Sequence, residues 1–167
     1  LVKRIRLSGL DVICIPGPCA ALTALVSSGM SSSKFIFEGF LPKKKSEREK
    51  VLHEISQNEK TTILFESPHR FKKLLLELKL FCGGERIIHI ARELTKKFEE
   101  NINTDIDNAI KIFETKKVIG EFTIIIKGKD KANNINIDKL RLKNDLHELV
   151  KAGLSVSSAA KYIAKKE

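Results

Sequence analysis

Arg92-Glu93-Leu94-Thr95-Lys96 sets two cations, a carboxylate and a hydroxyl within five residues. Such a cluster can grip a phosphate or a ribose, because charged donors make short, strong hydrogen bonds to oxygen. Its plainest alternative is a surface ion pair. Three further segments carry comparable chemistry. Pro16-Gly17-Pro18-Cys19-Ala20 joins an apolar run to a run of small residues. A strand that turns straight into a helix leaves free N–H groups for a ligand, although Pro-Gly-Pro is often only a rigid turn. Glu66-Ser67-Pro68-His69-Arg70 combines a carboxylate with two basic side chains, or is an ordinary helix start. Lys43, Lys44 and Lys45, with Arg48 and Lys50 close behind, form the densest positive stretch. A polyanion would satisfy it, and so would water. No Ser-His-Asp or Cys-His order stands out for nucleophilic catalysis, and there is no glycine-rich phosphate loop. His69 and His89 have no Cys or His at ligand spacing, so no metal is expected.

These segments need strands to present them. Alternating strand and helix signals predict an α/β fold with a mixed or largely parallel sheet flanked by helices. Strands are predicted over residues 11–15, 35–37, 61–65, 86–91, 98–102 and 122–126. The last is a near-continuous apolar run and reads as a central strand buried on both faces. One helix is predicted over residues 20–28, stopped by Gly29. Another starts at Ser46, where Glu49 completes a capping box. A third starts at Ser67-Pro68 and carries Phe71, Leu74, Leu75 and Leu78 on one stripe. A fourth runs through Ile106, Ala109, Ile110 and Phe113. The four chemical segments then fall at or just after strand ends, where ligands of such sheets sit. Beyond Lys129 a polar linker, Lys131-Ala132-Asn133-Asn134, leads to two helices over residues 140–152 and 156–165, with Ser155 as N-cap. The expected organisation is an α/β body over residues 1–130 and a linker with a small helical appendage over residues 131–167, either a helix-turn-helix-like unit or a plain helical hairpin.

Composition narrows the partner. The 167 residues fit one domain, or one with an appendage. The apolar fraction of 42% is ordinary, but the formal net charge of +10 favours a polyanion, nucleic acid foremost. Cys14, Cys19 and Cys82 form neither a metal spacing nor an even set, which fits a reducing cytoplasm. Cys14 is expected in the core. No apolar stretch is long enough to span a membrane and no signal peptide is evident. The opening at Leu1 reads as the later part of a longer protein.

IPGPCAALTALVSSGM, FIFEGFLPKKKSER, TTILFESPHR, IIHIARELTKKFEE and GEFTIIIKG follow one another in an order and spacing that resembles one family. It is the bacterial ribosomal RNA small subunit methyltransferase I family, a branch of the tetrapyrrole methylase-like (class III) S-adenosylmethionine methyltransferases. The resemblance implies the second α/β subdomain of a two-subdomain fold, with S-adenosylmethionine in the cleft between the two. It implies methyl transfer to the ribose 2′-hydroxyl of a cytidine, with small-subunit ribosomal RNA or the ribosomal particle as partner. A homodimer is expected from the wider class. The first subdomain's glycine loops have no counterpart here, so this chain alone is expected to be inactive. At matching positions, the resemblance implies cofactor contacts at Cys19, Ala20, Phe65, Glu66, Ile88, His89 and Phe122, with Cys19 standing where serine is usual. It implies RNA contacts at Lys43, Lys44, Lys45, Arg70 and Arg92. Glu93 becomes the carboxylate that orients or deprotonates the hydroxyl, and Lys96 the cation that steadies developing negative charge. Two other readings stay open: a porphyrin or corrin methylase, which shares the turn and the fold, and a non-enzymatic RNA-binding module.

Overall fold

Segments rich in Ile, Phe and Thr, residues that suit a pleated surface, supply most of a five-stranded sheet. The computed structural model describes residues 1–130 and 139–166. Its strands are β1 (Phe35–Phe40), β2 (Thr61–Glu66), β3 (Ile87–Arg92), β4 (Glu100–Asp105) and β5 (Phe122–Ile126), in the order β1-β2-β5-β3-β4. β1 and β2 are parallel, while β5 runs antiparallel to both its neighbours and β4 antiparallel to β3. Thus β1, β2 and β3 point one way and the sheet is mixed. β5 occupies the middle and is buried along its whole length, as its apolar run predicts.

Helices cover both faces. On one face lies α2 (Ala20–Ser28), whose Ala21, Ala24 and Leu25 pack on Ile63, Ala91 and Ile125. It ends at Gly29, where φ of 65° favours a residue without a Cβ. On the other face lie α3 (Lys45–Gln57), α4 (Pro68–Cys82) and α5 (Ile106–Thr115). Their Leu52, Ile55, Phe71, Leu74, Leu75, Leu78 and Phe113 bury against Leu64, Ile88, Ile90, Phe122 and Ile124. Phe71 stacks on Phe122 at 4.2 Å between ring centres. Asp105 caps α5 by accepting from the Asn108 N–H at 2.8 Å.

Several local expectations need correcting. Residues 11–15 form no strand, because no described strand pairs with them. Ile13 is 88% exposed, and Cys14 is exposed rather than in the core. α3 begins at Lys45 with Lys44 as N-cap, which leaves Ser46 inside the helix and its capping box unformed. β4 starts at Glu100, not Phe98. The backbone first makes turns through Lys96 N–H to Glu93 O and Glu99 N–H to Lys96 O.

The chain divides into two units, Leu1–Gly128 and Lys129–Glu167. The first opens with α1 (Val2–Leu7), which buries no residue. In the second, α6 (Lys139–Lys151) and α7 (Val156–Lys166) pack on each other across a turn at Gly153, where φ is 96°. Ser155 Oγ accepts from the Ser158 N–H at 3.2 Å, the expected N-cap. The proposed linker at Lys131-Ala132-Asn133-Asn134 lies outside the described residues. No helix among the described residues is long and apolar enough to cross a membrane.

Candidate active site

Because β1, β2 and β3 run in one direction, their carboxyl ends at Phe40, Glu66 and Arg92 share one edge of the sheet with the first residue of β5, Phe122. A cavity of about 420 Å³ opens there, bounded by Ala20 at the start of α2, by Phe40, and by Phe65 and Glu66. Gly120, Glu121, Phe122 and Thr123 close its other side. The volume falls in the range of small-molecule sites. No side chain caps the start of α2, so its first N–H groups lack a helical partner and can receive a polar ligand group.

A buried ionic clamp braces the mouth from beneath. Glu66 is 2% exposed. Its Oε2 lies 3.3 Å from Arg48 Nη2 and 3.2 Å from Arg70 Nη2, while its Oε1 accepts from the Ser67 N–H at 2.9 Å. Arg48 also pairs with Glu77 at 2.7 Å, and Arg70 donates to Leu41 O at 2.8 Å. The clamp therefore ties the loop after β1, the end of β2 and two helices together. Arg48 Nη1 has no hydrogen-bond partner among the described residues.

Beside the mouth, the turn after β3 is bent against backbone preference. Glu93 and Thr95 have φ of 50° and 64°, where residues with a Cβ are uncommon. Glu93 N–H donates to Glu121 O at 3.1 Å, and Glu121 N–H donates back to Glu93 Oε1 at 2.9 Å. Lys96 Nζ bridges Glu93 at 3.1 Å and Glu121 at 2.9 Å. The Glu121 N–H, and then Lys96, hold the Glu93 carboxyl below the usual carboxylate range. Glu121 and Glu93 in turn raise the Lys96 ammonium above its usual value. Glu93 is thus a stabilised anion, which makes it a good orienting group and a poor proton acceptor.

The structure brings together Ala20, Phe65, Glu66 and Phe122 at the cavity, with Cys19 exposed next to Ala20 and the Glu93–Lys96 pair joined to it through Glu121. It does not bring Ile88 and His89 there. They sit at the far end of β3, buried, with strands on both sides taking their backbone groups. His89 Nε2 instead lies 3.1 Å from Asn101 Oδ1 and 3.3 Å from Ser27 Oγ, and burial lowers its pKa. Phe122 and Glu66 border the cavity, but their side chains are committed to the core and the clamp. Lys43, Lys44 and Lys45 are exposed, Lys44 pairing with Glu47 at 3.0 Å and Lys45 with Glu49 at 3.9 Å. Arg70 and Arg92 are spent internally, Arg92 on Ile119 O at 2.7 Å and on Glu100. Sequence reading missed Arg48 and Glu121. Arg48 was visible only as one charge in a basic run, and Glu121 carried no signal. Among the described residues no three of His, Cys, Asp and Glu gather as a metal site.

A family model described as Tetrapyrrole (Corrin/Porphyrin) Methylases matches residues 1–110. The chain belongs to that methylase family. The fold agrees: the crystal structure of the methyltransferase CobJ superposes with a TM-score of 0.58 at 17% identity, covering 76% of this chain and 56% of that one. Within the family, this chain is similar to proteins named ribosomal RNA small subunit methyltransferase I, the resemblance its motifs carry. It is 37% identical to the one from Synechocystis sp. over 98% of this chain and 59% of the relative. Against the one from Pasteurella multocida it is 37% identical over 98% of this chain and 58% of the relative. The chain therefore spans a little over half the length of these curated relatives.

Proposed function

We propose that this methylase-family chain forms one wall of an S-adenosylmethionine cleft in an enzyme that methylates the ribose 2′-hydroxyl of a cytidine in small-subunit ribosomal RNA. The observation that carries the reading is its 37% identity, along nearly its whole length, to proteins named for that RNA. The cavity residues fit such a group: the start of α2 at Ala20 has no side-chain cap, and Phe65 gives the cavity an apolar wall. Cys19 and Ala20 would hold it through backbone atoms, and Phe65 through its ring. S-adenosylmethionine, when bound, supplies a methyl group already activated by its sulfonium.

The chain's own residues then have a positioning task. A hydroxyl oxygen must be held in line with the methyl carbon, and most of the rate gain comes from that alignment. Glu93, kept ionised by the Glu121 N–H and Lys96, orients the hydroxyl rather than taking its proton. The hydroxyl proton leaves to solvent water, and Lys96 supplies positive charge that steadies the negative charge this leaves on the oxygen. Lys43, Lys44 and Lys45 meet phosphates. In this reading the cleft's other wall comes from a first subdomain, and the chain by itself is inactive.

The deciding experiment supplies labelled S-adenosylmethionine to the protein joined to such a subdomain, with small-subunit particles, naked small-subunit RNA and uroporphyrinogen as acceptors. Label in RNA at a cytidine linkage that resists alkali is the expected result. Label on a base, or only on the tetrapyrrole, overturns the reading.

A further inference from the structure

An exposed aromatic surface borders the cavity, and neither the cofactor wall nor the lysine loop accounts for it. Phe37 and Phe40 are 54% and 63% exposed. In a regular strand, residues three apart point to opposite faces. Here β1 is bulged between Phe37 and Gly39, so Phe37 stands opposite Ile63 and Phe40 opposite Phe65. Ile63 and Phe65 are two residues apart and face the same side of β2. The bulge therefore turns Phe40 to the side of Phe37 and sends Leu41 into the core. Gly39 makes this bend at φ of 65°, a conformation that suits glycine. Phe65 braces both rings, edge-on to Phe37 at 5.2 Å and tilted to Phe40 at 5.7 Å.

A contiguous exposed aromatic patch marks an interaction site, and its surroundings select the occupant. Lys43, Lys44 and Lys45 follow Phe40 almost at once, on a chain of net charge +10. A flat apolar ring beside a run of cations matches a nucleobase beside its phosphates. We infer that Phe40, braced by Phe65, stacks on an unpaired nucleobase of the RNA substrate. The inference rests on the ribosomal RNA reading and adds that the RNA is met as an unstacked single strand. Phe40 and Phe65 also line the cavity, so a base stacked there lies at the mouth of the candidate site.

The test titrates the full chain with a short oligocytidylate containing one pyrrolocytosine, whose fluorescence falls on stacking, across a range of salt. The intact chain should bind with quenching. Phe40→Leu should lose about five- to 150-fold in affinity, together with the quench, since one stacked base is worth that much. Its salt slope should not change, because stacking releases no counterions. Phe40→Trp should keep both affinity and quench, and thermal unfolding should show both variants folded. Joint replacement of Lys43, Lys44 and Lys45 by Ala should flatten the salt slope and leave the quench of the bound probe in place. If Phe40→Leu binds and quenches like the intact chain, stacking is overturned and the RNA reading stands. Binding to duplex RNA but not to oligocytidylate has the same meaning. If the intact chain binds neither RNA, both readings fall.

Discussion

Arg48 on α3 donates to Glu66 at the end of β2 across 3.3 Å, in the protein interior and 18 positions apart in sequence. The pair lies directly under the cavity, and Arg70 and Glu77 complete it. Removing one member of a buried ionic group leaves the others uncompensated, a larger loss than the pair's own net worth.

Glu66→Ala should therefore destabilise the chain by about 3–5 kcal/mol, because Arg48 keeps only Glu77 and Arg70 loses its carboxylate partner. Urea unfolding measures this. A loss below about 1 kcal/mol would put the clamp in the class of surface pairs.

Glu93→Gln tests positioning against proton abstraction. The amide oxygen can still accept from the Glu121 N–H, so the turn should keep its shape. Turnover in the complete enzyme should fall by less than about tenfold, because a true general base contributes about 10²–10⁴. A hundredfold loss of kcat with normal folding would make Glu93 the base.

Gly120 has φ of 94°, and a Cβ there would sit 2.6 Å from Glu93 Cγ. Gly120→Ala should cost about 1–3 kcal/mol in stability and break the paired hydrogen bonds between Glu93 and Glu121. Amide exchange at Glu121 should rise at least as steeply as global stability falls. Unchanged protection would show that the turn adapts.

Stability should decline in two stages on acidification. His89 has a lowered pKa, so the unfolded chain takes up its proton first. Its contribution is present above the ordinary value of 6.5 and is lost as pH falls through the folded value. Glu93 and Asp105 are also lowered and repeat this below 4.5 and 3.8. Lys96 is raised, so its contribution is complete below 10.5 and lost as pH climbs through the folded value. Burial also raises the Cys82 thiol above its ordinary 9.0, so its contribution too is lost at high pH, and melting temperature against pH should show a plateau between neutrality and about pH 9. His89→Gln should abolish the first acid step alone. A step that survives the substitution belongs to another group.

How much of this was legible depended on the range of the interaction. The stripe Phe71, Leu74, Leu75 and Leu78 and the apolar run of β5 declare their elements locally, and the structure buries every one of those side chains. Residues 11–15 carry an equally apolar pattern but find no partner strand, and pattern alone does not say whether one exists. Ser46 and Glu49 have the right spacing for a cap, yet Lys44, two residues earlier, is the N-cap. Glu66 could be placed at the ligand edge because strand ends gather there, whereas the strand expected before Ala20 does not form and Phe122 was reached only through the family resemblance. Arg70 and Arg92 look like phosphate ligands in a linear reading. Only the fold shows Glu66 and Glu100 already waiting for them.

The position of β5 bears on how the protein acquires its shape. β1–β2 and β3–β4 are neighbours in sequence, and within the sheet the two pairs are joined only by β5, residues 122–126. Closure of the sheet thus needs long-range pairing, of the kind that slows folding. Until it happens, Ile63 and Ile90 are left beside an empty lane, and the apolar β5 segment stays unpaired as a hazard for aggregation. The same strand opens with Phe122 at the cavity, so the closure of the sheet and the ligand wall depend on one segment.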